Sequence, residues 1–98
     1  MLADGWISGR VTVSGAAAAG VCALAYPVAG GAPTLGATGK SGSYQIAGLP
    51  PGGYIVEFTA GCGDARYKTQ WYNDATSRGA ATPVTVVYGE VTGNIDAH

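Results

Sequence analysis

Two cysteines, one histidine and six carboxylates are the groups this 98-residue chain offers for bond-making chemistry. Cys22 and Cys62 lack the Cys-x-x-Cys spacing of a redox couple. A thiolate metal centre needs about four ligands, and the single imidazole, His98, is the chain's last residue. A disulfide or two independent thiols remain. Cys22 falls on the opposite face from Val21, Ala23 and Ala25 of a short extended run, and Cys62 sits between Gly61 and Gly63 in a loop that can adapt to it. The disulfide is the expectation. By loop closure a bridge over this span is worth about 4 kcal/mol, a large share of the ~5–15 kcal/mol that stabilises a whole domain. It also implies an oxidising compartment, hence an extracellular or cell-surface location.

Other chemistries lack their parts. A Ser/His/Asp site needs a positioned imidazole, which a terminal His98 does not supply. Paired carboxylates would serve glycoside cleavage, but Asp4, Glu57, Asp64, Asp74, Glu90 and Asp96 are scattered, and most fall in turns. Asn73, Asp74 and Asp64 could offer oxygens to calcium, which wants six to eight; Asx turns are the expected role instead. Gly39-Lys40-Ser41 resembles the end of a phosphate-binding loop, yet Thr34 stands where its first glycine belongs, and a strand pattern follows where a helix is required. No catalytic residue, cofactor or metal ligand is therefore expected. The remaining candidate is aromatic. Tyr67, Trp71 and Tyr72 crowd one extended run beside Arg66, Lys68 and Gln70. Alternation turns Trp71 and Tyr72 to opposite sides. Either Trp71 and Tyr67 fill the core with Tyr72 over the edge, which is the favoured reading, or flat rings stay outside to stack on sugars.

The elements that would position these groups are strands. Gly42–Phe58 reads GSYQIAGLPPGGYIVEF. Tyr44 and Ile46 face one way, Ser43 and Gln45 the other; Tyr54, Val56 and Phe58 share a face, and Ile55, Glu57 and Thr59 share its reverse. Between the runs, Pro51 presets a turn and Gly52 can take the positive φ of a type II turn. Leu49, extended because it precedes a proline, is expected to plug the core. Trp6–Val13 alternates as a first strand with Ile7, Gly9, Val11 and Val13 inward. Ser14–Gly20 reads as a loop, Val21–Tyr26 as a strand stopped by Pro27, Leu35–Thr38 as a short strand, Tyr67–Tyr72 as another, Asn73–Ala81 as the longest polar connection, and Val84–Tyr88 and Val91–Ala97 as the last two.

Composition agrees. Seventeen glycines without a collagen period point to turn-rich β-structure. Charged residues are 11% and the net charge is −1, which argues against nucleic acid; 47% hydrophobic content argues against disorder. No apolar run reaches the ~18 residues of a membrane helix. Met1 reads as the start of an excised segment, with any targeting signal outside it. The expectation is a single domain over residues 1–98: an all-β, seven- to eight-stranded antiparallel two-sheet sandwich.

The residues Gly42, Tyr44, Ile46, Gly48, Leu49, Pro50, Gly52, Tyr54 and Val56 fit G-x-Y-x-I-x-G-L-P-x-G-x-Y-x-V. With ISGRVTV before it and GEVTGNIDA after it, the chain resembles the carboxypeptidase regulatory-like family, of the kind found in secreted actinobacterial proteins, over nearly its whole length. The resemblance implies a transthyretin-like Greek-key sandwich and a non-catalytic module beside other domains. The related 5-hydroxyisourate hydrolases use internal His and Arg residues and a C-terminal tail that have no match here. Related adhesin sandwiches carry a Lys–Asn isopeptide bond. Glu57 and Asn94 fall at suitable places for it, but the first strand offers Arg10, whose guanidinium stays protonated. The expected function is a spacer, stalk or accessory domain of a larger secreted or surface protein. The alternative is a carbohydrate-binding accessory domain using Tyr67, Trp71 and Tyr72. Expected partners are neighbouring domains, and on the alternative a polysaccharide or another surface protein. No nucleic acid or membrane insertion is expected, and the module is expected to be a monomer.

Overall fold

The two alternating runs within Gly42–Phe58 are strands as their pattern demands, but they do not pair as a hairpin: the Pro/Gly turn carries the chain from one sheet to the other, so the runs face each other across the core. A computed structural model describes residues 4–63, 67–73 and 75–97. The strands are β1 (Gly5–Arg10), β2 (Thr12–Val13), β3 (Ala16–Ala17), β4 (Cys22–Pro27), β5 (Thr34–Ala37), β6 (Ser43–Leu49), β7 (Gly52–Thr59), β8 (Gln70–Trp71), β9 (Val84–Val86) and β10 (Val91–Thr92), with one 3₁₀ turn at Arg78–Ala80. They form an all-β sandwich. One sheet has the order β10-β1-β6; the other runs β5-β4-β7, with β8 and β9 sharing the far edge of β7. The number of strand segments exceeds the expected seven or eight because the edges are broken into short pieces.

On β6, Tyr44 and Ile46 point inward while Ser43 and Gln45 are exposed. Leu49 is fully buried as expected, although it lies three residues beyond Ile46. Gly48 resets the phase: its φ is +72°, and the β1–β6 register slips there, Ile7 pairing Ile46 and Gly5 pairing Leu49. This is a β-bulge with glycine in the left-handed position. The turn after it departs from a regular type II. Gly52 has φ +149° and already pairs Val86. The reversal is tied by the Tyr54 hydroxyl, which donates to the Pro50 carbonyl at 2.6 Å.

Inside, Ile7, Val11, Val21, Ala23, Ala25, Tyr44, Ile46, Leu49, Tyr54, Val56, Phe58, Val84, Val86 and Ile95 belong to one buried cluster. Thr38 is the buried polar residue among those described. Its hydroxyl donates to the Ala18 carbonyl and accepts from the Val21 amide, so it is satisfied. Two corners bring the sheets together. A Cβ on Gly36 would lie 2.9 Å from Ile46, and one on Gly5 would lie 2.3 Å from Val86.

Three expectations are corrected. Val13 is half exposed, because β2 leaves the sandwich to pair with β3. That hairpin turns on Ser14 (φ +53°) and Gly15 (φ +83°), a two-residue turn with both central φ positive inside the stretch read as a loop. Val87 and Tyr88 are exposed beyond the end of β9. And the sheet is not wholly antiparallel. β10 pairs β1 in parallel, Trp6 with Val91 and Ile7 with Thr92, and Ala97 bridges Val11 in the same sense.

Candidate functional site

The two cysteines meet. Cys22 opens β4, Cys62 follows β7, and they form a disulfide with Cα atoms 5.2 Å apart. The register explains it: Cys22 pairs Thr59 across the β4–β7 ladder, which brings the loop after Thr59 over Cys22. The bridge closes the open end of that ladder and leaves no free cysteine among the described residues.

The three aromatic candidates separate. Only Gln70–Trp71 of the expected Tyr67–Tyr72 strand enters the ladder, Trp71 opposite Glu57 and Gln70 opposite Phe58. Opposed residues share a face, so Trp71 lies with Glu57 on the outer side of β7. It does not fill the main core. It is 9% exposed and packs with Ile55 and Ala75 in a second small cluster, flanked by Tyr26 and Ala81. Tyr67 and Tyr72 are instead partly buried against the main core, the Tyr72 amide donating to the Val56 carbonyl. The expectation that Tyr67 shares a side with Trp71, and that Tyr72 lies opposite to Tyr67, is therefore reversed. The physical reason is that the run is not a continuous strand, so period two does not carry from Tyr67 to Trp71.

The outer cluster has its own chemistry. The Tyr26 and Trp71 rings are 5.6 Å apart and tilted by 42°. The Arg78 guanidinium sits 4.9 Å from the Tyr26 ring centroid, a cation–π contact. The Tyr26 hydroxyl donates to Glu57 Oε1 at 3.1 Å. Burial, and then that hydrogen bond, push the Tyr26 pKa up from 10.0. Two of the residues packed around Trp71, Ala75 and Ala81, belong to the connection read as polar. It is pinned by reciprocal Trp71–Ala75 backbone hydrogen bonds and by the Thr82 amide on the Tyr72 carbonyl. Arg66, Asp64, Asp74 and His98 lie outside the described residues, so the calcium and terminal-histidine readings fall there too.

Two depressions stand out among the described residues. One, of about 710 Å³, is lined by Pro27, Val28, Pro50, Pro51, Tyr54 and Pro83 among others. It is an apolar groove at the end of the sandwich where β1 begins. The other, of about 500 Å³, gathers Ser8, Arg10, Ser43, Asn94 and Asp96. There the Arg10 amide donates to Asp96 Oδ1 at 2.8 Å, and the Tyr44 hydroxyl donates to the Ile95 carbonyl. Burial, then the nearby Asp96, raise the Tyr44 pKa well above its ordinary value. Glu57 is on the outer face of the other sheet, hydrogen-bonded to Tyr26, and the isopeptide geometry with Asn94 is not assembled. Glycines 39 and 42 close a turn into β6, the Gly42 amide donating to the Gly39 carbonyl, so Lys40 stands not on a hairpin loop but on the turn that carries the chain from β5 in one sheet to β6 in the other. Among the described residues, no three His, Cys, Asp or Glu side chains gather as a metal site.

Comparison with known proteins adds the fold. No family model matches the chain, and no curated protein matches it. A solved structure does. The chain is similar to the crystal structure of a DUF3823 family protein from Parabacteroides merdae ATCC 43184, with a TM-score of 0.54 and 22% identity over 98% of this chain. The chain spans 46% of that protein's length.

Sequence reasoning missed the ends of the molecule. Val28, Tyr88 and Val91 are each about half exposed and lie, with the apolar groove, at the end where β1 starts. Val87-Tyr88 and Val91 on either side of Gly89-Glu90 read as strand residues. Only the structure shows that they flank an exposed turn, closed by the Glu90 amide on the Val87 carbonyl, between β9 in one sheet and β10 in the other.

Proposed function

We propose that this chain is an extracellular, non-catalytic β-sandwich module of the carboxypeptidase regulatory-like kind, serving as a spacer or accessory domain between other parts of a larger protein. The observation that carries this reading is the parallel pairing of β1 with the chain's last segment. Two parallel neighbours in one sheet run from the same end to the same end. The chain therefore enters the sandwich at the Gly5 end and leaves at the Val11–Ala97 end, roughly 20 Å further along at ~3.3 Å per residue. Antiparallel neighbours would bring both ends to one side. A disulfide that rigidifies the module supports an oxidising location, and no described helix is long and apolar enough to cross a membrane. The exposed apolar residues at the Gly5 end suit contact with a preceding domain.

Small-angle scattering of one, two and three directly joined copies tests the reading. The maximum dimension is expected to rise with each copy while the cross-section stays constant; copies that fold back side by side would refute it. The sugar-binding alternative predicts that glycans reach Trp71. In a Trp6→Phe background, titration with a panel of soluble glycans is expected to leave Trp71 fluorescence unchanged, since Tyr26, Ile55 and Ala75 cover the ring.

A further inference from the structure

We propose that the module withstands tension applied along the chain, with the ladder between β1 and residues 91–97 acting as a clamp loaded in shear. This rests on the spacer reading, since only a module strung between others is pulled from both ends. The geometry is specific. A pull on the chain before Gly5 drags β1 toward its own start. A pull after Ala97 drags the last segment the opposite way along the same axis. The hydrogen bonds joining them cross that axis, so they are strained together and must fail together.

The bonds span most of β1. The Trp6 amide donates to Glu90 at 3.1 Å, Ile95 to Ser8 at 3.1 Å, Ala97 to Arg10 at 3.0 Å and Thr12 to Ala97 at 2.9 Å. Gly9 lets the segment lie this close: a Cβ there would stand 2.1 Å from the Ile95 carbonyl oxygen. Side chains add cross-ties, Asp96 to the Arg10 amide and the Tyr44 hydroxyl to Ile95. On its other edge β1 is held by β6 from Arg10–Ser43 to Gly5–Leu49, so sliding β1 breaks two ladders.

The disulfide plays a different part. Cys22 and Cys62 belong to the other sheet and its following loop, outside the clamp. They carry no load until the clamp has failed. After that they withhold the enclosed chain from extension. The bridge encloses 40 residue steps. At ~3.6 Å per step, less the distance across the bridge, opening it would lengthen the unfolded chain by about 140 Å. The clamp sets the force of yielding and the bridge sets how far the chain gives.

Single-molecule pulling tests this with the whole chain between handle domains. Oxidised protein loaded end to end is expected to yield in one step. Reductant is expected to leave the yielding force unchanged and lengthen the extension by about 140 Å. The same oxidised protein, loaded between its N-terminal handle and a handle on Tyr88→Cys, is pulled from two points at one end, so its bonds open in sequence. It is expected to yield at roughly half the force or less, because forced unfolding follows the barrier along the pulled direction. Equal forces in the two geometries would overturn the clamp, as would a force that falls on reduction. The two-geometry comparison needs only oxidised protein, so it decides even if reduced protein fails to refold. Either failure leaves the end-to-end arrangement measured by scattering intact, and copies folding back in scattering would remove the spacer role without changing the pulling result.

Discussion

The two faces of β7 are both covered, by different means. Inward, Tyr54, Val56 and Phe58 meet whole strands of the opposing sheet, and Phe58 packs edge-on to Tyr44 with centroids 5.6 Å apart. Outward, Ile55 is buried beneath Trp71 and Ala75, which a connection between β7 and β9 lays over the sheet. The inner cover is built from long ladders distant in sequence. The outer cover is local and held by a few backbone hydrogen bonds around Trp71, Ala75 and Thr82. A strand's alternation thus announces its inner layer, whereas an outer layer depends on whether a connection happens to return.

The sharpest way to break this contrast is to hollow each face in turn. Phe58 is fully buried among residues fixed by both sheets, so Phe58→Ala leaves a cavity that cannot collapse. It is expected to cost about 4 kcal/mol, read from the midpoint of urea unfolding. Trp71→Ala removes a larger ring but from under a connection that can settle onto the gap. About 2 kcal/mol is expected. Equal losses would mean that the outer cluster is a second core in its own right.

The same contrast explains what could be read in advance. The two alternating runs, the buried Leu49 and the Cys22–Cys62 bridge were legible, because period two, a residue fixed before proline and a pair of isolated cysteines are local signals; that the two runs lie in opposite sheets instead of pairing across their turn was not. Trp71 was placed wrongly because alternation was carried from Tyr67 across a stretch that makes no ladder. The Asn73–Ala81 connection read as polar, and its alanines gave no sign that Ala75 and Ala81 cover Ile55 and Trp71. The direction of the last strand was illegible in principle. A strand's own sequence does not say whether its neighbour runs parallel, and here the neighbour lies some 85 residues away, as the Thr12–Ala97 contact shows.

Ionisation sharpens the inner side further. Tyr44 is buried and hydrogen-bonded to Ile95, and burial raises its pKa above 10.0. Tyr54 is raised too, by burial and then by Asp4. Below pH 10 both folded and unfolded chains keep these protons, and the stabilisation is complete. Above it the unfolded chain ionises first, so stability declines as pH rises toward the folded-state values. The urea midpoint is expected to hold between pH 7 and 9 and to fall above pH 10. Tyr44→Phe is expected to cost roughly 1–2 kcal/mol at neutral pH, by leaving the Ile95 carbonyl without its donor, and to flatten the alkaline decline. An unchanged decline would show that Tyr44 ionises as readily folded as unfolded.

The smallest effect belongs to the outer side. Tyr26→Phe keeps the ring that lies against Trp71 and beneath Arg78 and removes only the hydrogen bond to Glu57. Both partners are partly solvated, so water replaces what is lost, and roughly 0.5 kcal/mol is expected. Burial and then the Glu57 hydrogen bond raise the Tyr26 pKa, so removing the hydroxyl should also make the alkaline decline slightly shallower. A loss as large as that of Trp71→Ala would show that the hydroxyl, and not ring packing, holds the 70–81 connection against the sheet, and the outer layer would then be a polar latch set on an apolar patch.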